Sequence, residues 1–127
     1  MKRAYPLLVA ALSAWCLLLS AWAQTEPLRV GSKRFTESYI LAEIMAQTAR
    51  AAGATTDVRQ GLGNTAIVYE ALKSGQIDVY AEYTGTIAQE IVKDAAHTSL
   101  EDLKRALAPL GLAVGVPLGF NDGYALA

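Results

Sequence analysis

The nine residues Asp78 to Thr86, "DVYAEYTGT", set two phenol rings, a glutamate and two threonines around one glycine turn at the end of a short apolar run. Side chains alternate sides along an extended segment, so Tyr80 and Glu82 project one way and Tyr83 the other, and one tyrosine is expected in the core. A ring standing above a strand end can stack on a ligand or hold a cation on its π face, worth roughly 0.5 to 2 kcal/mol. Thr86, where a helix starts, offers a hydroxyl beside free backbone N–H groups that suit a carboxylate. Lys33, in "GSKRFTES", can bring a positive charge to the same anion, or can be a solvated surface lysine. The late "NDGYALA" repeats the pattern of a polar turn with an aromatic through Asp122 and Tyr124.

Other chemistries have less support. His97 is the only histidine and has no regular carboxylate spacing around it, so it reads as an exposed loop residue rather than a metal ligand or general base. Ser32 and Ser38 have no adjacent histidine, which leaves a nucleophilic triad unsupported. The stretch "GLGNT" lacks the third glycine of a dinucleotide fingerprint and the lysine of a P-loop, so its glycines are expected to serve turns. Glu37, Glu43, Glu70 and Glu90 fall on helices, where solvated faces are the default. Neither an enzyme, a cofactor nor a metal is expected.

These residues need elements to position them. "LRVGSK" opens with a strand at Leu28 to Val30, and Thr36 to Ala52 carries Ile40, Leu41, Ile44, Met45, Thr48, Ala49 and Ala52 at helical spacing, stopped by Gly53. A second strand is expected at Thr55 to Arg59. A helix capped by Asn64 then follows, with Ala66, Ile67, Ala71 and Leu72 on its apolar face and Gly75 at its end. A third strand is expected at Ile77 to Tyr80, a helix from about Thr86 to Val92, and a helix from Thr98 to Ala108 opened by a Thr98/Glu101 capping box. "LAVGV" reads as a further strand. Repeated βα units argue for an α/β fold with a mainly parallel sheet, in which ligands gather at the carboxyl ends of strands.

The first residues stand apart. Met1-Lys2-Arg3 precedes an apolar run from about Leu7 to Leu19, and "AWA" at Ala21 to Ala23 offers small residues for a signal peptidase, so residues 1–23 are expected to be a cleaved secretory signal. The run falls short of the roughly 20 residues needed to span a bilayer. Cys16, the single cysteine, lies inside it, so residues 24–127 form no disulfide and no thiolate site. Removing Lys2 and Arg3 takes the net charge from −1 to −3, which is no footprint for nucleic acid.

Taken together, "VGSKRFTESYILAEI", "GLGNTAIVYEALKSGQIDVYAEYTGT" and "NDGYALA" resemble the substrate-binding proteins of ABC importers for glycine betaine, choline and related quaternary-ammonium osmoprotectants. The resemblance covers nearly all of residues 24–127. It implies a periplasmic-binding-protein-like lobe, the first of two that close on a ligand and present it to a membrane permease, in a monomeric periplasmic protein without catalysis. It places Tyr83 in an aromatic box around the trimethylammonium group with Tyr124 beside it, Asp122 near the cation, and Lys33 and Thr86 on the ligand carboxylate. It further implies a second lobe with more tyrosines and an arginine, absent from these 127 residues; their loss is expected to cost roughly 3 to 6 kcal/mol of binding. The alternative is a ligand-sensing domain of an envelope regulator or channel built on the same lobe.

Overall fold

A computed structural model describes residues 26–96 and 99–121. Strand β1 (Leu28–Lys33) leads to helix α1 (Thr36–Ala51), strand β2 (Thr56–Gly63) and helix α2 (Thr65–Lys73). A one-turn helix α3 (Thr84–Thr86) widens into the π-helical segment Ile87–Val92, and helix α4 (Leu100–Leu107) runs into a 3-10 turn at Ala108–Leu110. β1 and β2 pair in parallel, with Leu28 opposite Thr56 and Val30 opposite Val58. The fold is thus α/β, a two-stranded parallel sheet flanked by helices. The expected signal segment and residues His97, Thr98, Asp122 and Tyr124 lie outside the described residues.

Alternation along β1 puts helices on both faces of the sheet. Val30 is fully buried with Ala42 and Ala46 of α1, and Gly31, which faces the other way, lies against Ile77, part of the cluster with Val68 and Ala71 of α2. A third cluster joins Ile87 and Ala88 to Leu103 and Leu107 of α4. The helix faces differ from those the apolar spacing suggests. On α1 the buried pair is Ala42 and Ala46, while Ile40 and Ile44 are exposed. On α2, Thr65, Val68 and Ala71 are buried, while Ile67 is exposed. Small side chains on α1 let the helix backbone approach the strand, and the larger isoleucines turn outward.

The capping chemistry is local and mostly as the sequence suggests. Asn64 Oδ1 accepts the Ile67 N–H at 3.2 Å and opens α2. For α4, however, Ser99 rather than Thr98 is the cap: its Oγ accepts the Asp102 N–H at 3.2 Å. Ser99 and Asp102 reproduce the Thr98/Glu101 spacing one residue later, with an acidic side chain again in the third helical position.

Three strand expectations change. β2 extends through "GLG", and the register slips so that Gly31 faces Arg59 but Lys33 faces Gly63. Gly61 sits in this irregularity at φ +68 and donates its N–H to Ser32 Oγ at 2.9 Å, a backbone state that glycine enters without penalty. Residues 77–80 form a single parallel bridge between Val79 and Val30 instead of a full strand. Further along, the Tyr83 N–H is taken by the Glu82 side chain at 3.0 Å rather than by a strand neighbour. Residues 112–118, including "LAVGV", have no regular structure; Leu112 and Val114 pack on the α4 cluster instead of joining the sheet.

Candidate ligand-binding site

The carboxyl end of β1 and the chain leaving the Val79 bridge meet at the start of α1. The backbone lays them side by side: Gly31 N–H donates to Val79 O at 2.8 Å, as does Asp78 N–H to Arg29 O at 2.8 Å. This places Lys33, the last residue of β1, opposite Glu82. The lysine is 7% exposed, so it is not a solvated surface lysine. Its Nζ lies 2.5 Å from Glu82 Oε1, with the two side chains 9% and 5% exposed. The same oxygen accepts the Tyr83 N–H. The other oxygen, Oε2, is buried without a hydrogen-bond partner among the described residues.

Aromatic rings gather around this pair. The Lys33 ammonium stands 5.9 Å from the ring centroids of both Phe35 and Tyr83, within the range of cation–π attraction. Phe120 meets Tyr83 edge to face, with centroids 6.1 Å apart and planes at 88°. The Tyr83 hydroxyl donates to Glu37 Oε1 in the first turn of α1. Tyr80 is the tyrosine that enters the core. It packs beside Val68, Ala71 and Ile77, and burial pushes its hydroxyl pKa well above the ordinary phenol value, with Glu82 adding to the rise. Its phenol is therefore neutral, and its role is packing.

Of the expected site residues, Lys33 and Tyr83 come together. Thr86 closes the α3 turn that Tyr83 opens, three residues further on, with Tyr83 O accepting the Ile87 N–H at 2.9 Å. Asp122 and Tyr124 are outside the described residues, though Phe120, two positions before Asp122, touches Tyr83. Four participants were not foreseen: Phe35, Phe120, Glu37 and the partnership of Glu82 with Lys33. Glu82 carried a signal, since a carboxylate between two tyrosines in an apolar stretch must find a partner if it is buried. Glu37 carried none, because its partner is 46 residues away.

The arrangement can do two things. It presents ring faces to a cation, and it holds an ammonium whose remaining donors can meet an anion. Among the described residues, no group of three or more His, Cys, Asp or Glu side chains could hold a metal ion. An open groove of about 550 Å³ along α2, lined by Leu62, Ile67 and Glu70 among others, contains neither Lys33 nor Tyr83.

Residues 26–127 match the family model described as the substrate-binding domain of the ABC-type glycine betaine transport system. The chain belongs to this family. It is 37% identical over 118 residues to a glycine-betaine-binding protein of Pseudomonas aeruginosa, a match covering 87% of this chain and 37% of that protein. It is 42% identical over 59 residues to the glycine betaine-binding protein YehZ of Escherichia coli, covering 46% of this chain and 19% of YehZ. A third relative, 32% identical over 125 residues, is the ergothioneine transport permease/ergothioneine binding protein EgtU of Helicobacter pylori, with 94% of this chain and 22% of that protein covered. The structure of apo YehZ from E. coli superposes with a TM-score of 0.53 at 32% identity, over 68% of this chain and 30% of that one. The chain thus spans between about a fifth and little more than a third of the length of the curated relatives it matches. The family is a class of substrate-binding proteins, not of enzymes.

Proposed function

We propose that the protein is the extracytoplasmic solute-binding component of an ABC importer, taking glycine betaine or choline-type quaternary-ammonium osmoprotectants in the periplasm and delivering them, as a monomer and without catalysis, to a membrane permease. The observation that carries the reading is the cluster at the strand ends: Tyr83 with Phe120 on its edge and Lys33 beside it. A quaternary ammonium has no N–H to donate, so ring faces are among the few groups that select it. In this reading Tyr83 takes the trimethylammonium group, with Tyr124 beside it and Asp122 near the charge. The contact of Phe120 with Tyr83 supports this, because Phe120 belongs to the same stretch of chain. Lys33 and Thr86 serve the ligand carboxylate, Lys33 with the donors that Glu82 leaves over.

A second ligand is favoured by one comparison. The relative named for ergothioneine matches nearly the whole chain, and ergothioneine carries both a trimethylammonium group and a carboxylate. The experiment is a calorimetric titration of the mature chain with glycine betaine, choline and ergothioneine, repeated on Tyr83→Ala. Saturable binding of at least one ligand is expected at millimolar rather than micromolar concentrations, given the roughly 3 to 6 kcal/mol that the missing groups would supply, and weakened by about a further tenfold when the ring is removed. No binding of any of the three, or an unchanged affinity in Tyr83→Ala, would sink the proposal.

A further inference from the structure

We infer that Glu82 is the positioning residue of this site and sets its preference between zwitterionic and purely cationic ligands, an inference that rests on the quaternary-ammonium reading above. One carboxylate oxygen gathers the Lys33 ammonium at 2.5 Å and the Tyr83 N–H at 3.0 Å. It therefore fixes the distance between the charge that meets an anion and the ring that meets a cation. The two elements it joins are 49 residues apart in sequence. Burial of both side chains makes the arrangement stiff, since neither partner can relax into water.

The charges also decide what the site lacks. Among the described residues the cluster holds one ammonium, Lys33, and two carboxylates, Glu82 and Glu37, the second reaching it through the Tyr83 hydroxyl. With Glu82 ionised the ammonium is already neutralised, and an arriving anion finds a weaker field than an unpaired lysine would give. A cationic group gains from both carboxylates. Glu82 thus tempers the pull of Lys33 on a ligand carboxylate and lets a ligand that has none, such as choline, compete. Oε2, buried without a donor, shows that the carboxylate is held by Lys33 and the Tyr83 amide alone among the described residues. Its removal should act on the ligand mainly through those two groups, since Tyr80, whose hydroxyl also feels the Glu82 charge, is packed in the core.

The test titrates glycine betaine and choline into the mature chain, into Glu82→Gln and into Lys33→Met/Glu82→Gln. In Glu82→Gln the ligand carboxylate becomes the counter-ion of Lys33, and the ratio of glycine betaine to choline affinity should rise by about tenfold. In the double variant, which buries no charge at these positions, the ratio should fall below that of the unaltered chain. A purely structural role would weaken both ligands alike. An unchanged ratio in Glu82→Gln therefore overturns the inference. Where the single variant does not fold, a double-variant ratio at or above that of the unaltered chain overturns it equally. If the unaltered chain binds neither of these ligands nor ergothioneine, the quaternary-ammonium reading itself has failed and takes this inference with it, an outcome told apart by titrating the unaltered chain first.

Discussion

Two ion pairs tie β1 to the segment that follows α2, each spanning 49 residues of sequence, one at either end of the contact. At the amino end Asp78 has both oxygens filled: Oδ2 accepts from the Arg29 N–H at 2.7 Å and from Nε at 3.0 Å, and Oδ1 from Nη2 at 2.7 Å. Arg29 also reaches Gly75 O at 2.6 Å. Both side chains are about a third exposed, so water can replace any bond that is lost. At the carboxyl end the Lys33–Glu82 pair is buried, and Glu82 loads one oxygen with two donors while leaving the other bare. The pair that aligns the chain is fully satisfied, and the pair under the aromatic rings is not.

The largest break in this comparison comes from Lys33→Met. It strands the Glu82 carboxylate in a dry site and should cost about 3 to 5 kcal/mol by urea denaturation, whereas Lys33→Met combined with Glu82→Leu should recover most of that loss. Arg29→Met should shift the same midpoint far less, because Asp78 rehydrates; equal losses would erase the distinction between the two ends.

Between the pairs lies Gly31, where an added methyl would overlap Ile77 Cδ1, itself in a side chain 1% exposed. Gly31→Ala should therefore destabilise the fold by about 1 to 3 kcal/mol through overpacking. Trimming the partner in Gly31→Ala/Ile77→Val should return part of it.

The smallest effect sharpens the comparison by pH. The Arg29 side-chain hydrogen bonds, then its backbone N–H, hold the Asp78 carboxyl below the usual carboxylate range. A depressed value means that the stabilisation is present above the unfolded-state pKa and is lost as pH falls through the folded one. The stability gap between the unaltered chain and Asp78→Asn should stay constant from neutral pH down and narrow below about pH 4. A gap that persists unchanged into stronger acid would deny the ionic character of this pair.

How much of this was legible depends on the range over which each residue acts. Helix starts and stops are set within a few positions, so Asn64, Gly53 and the span of α1 could be read to within a residue or two. Inward faces are set by how closely a helix meets a strand. That is why Ala42 and Ala46, not Ile40 and Ile44, fill the contact with Val30. Tyr83 and Lys33 stood out as an aromatic and a cation near strand ends, and the fold brings those two together. The wiring of the site was not legible, because Glu82 finds Lys33, and Glu37 finds the Tyr83 hydroxyl, across distances in sequence that no local pattern encodes. The absent strand at residues 112–118 shows the converse: β-type composition alone does not supply a neighbour to pair with.

The parallel pairing of β1 has a consequence for how the molecule assembles. Neither neighbour of β1 reaches it through a hairpin: Leu28 waits for Thr56, and Val30 for Val79. Each strand contact follows the closing of a long loop, a cost met before any ladder bond repays it, which places this α/β fold among the slower-folding topologies. Lys33 and Glu82 sit beyond the second closure. In the unfolded chain they are two separate, hydrated charges, and they become one buried pair when the sheet is complete. A solute that recognises Lys33 and Tyr83 together is thereby a probe of finished folding, and its presence would draw the last step of assembly forward.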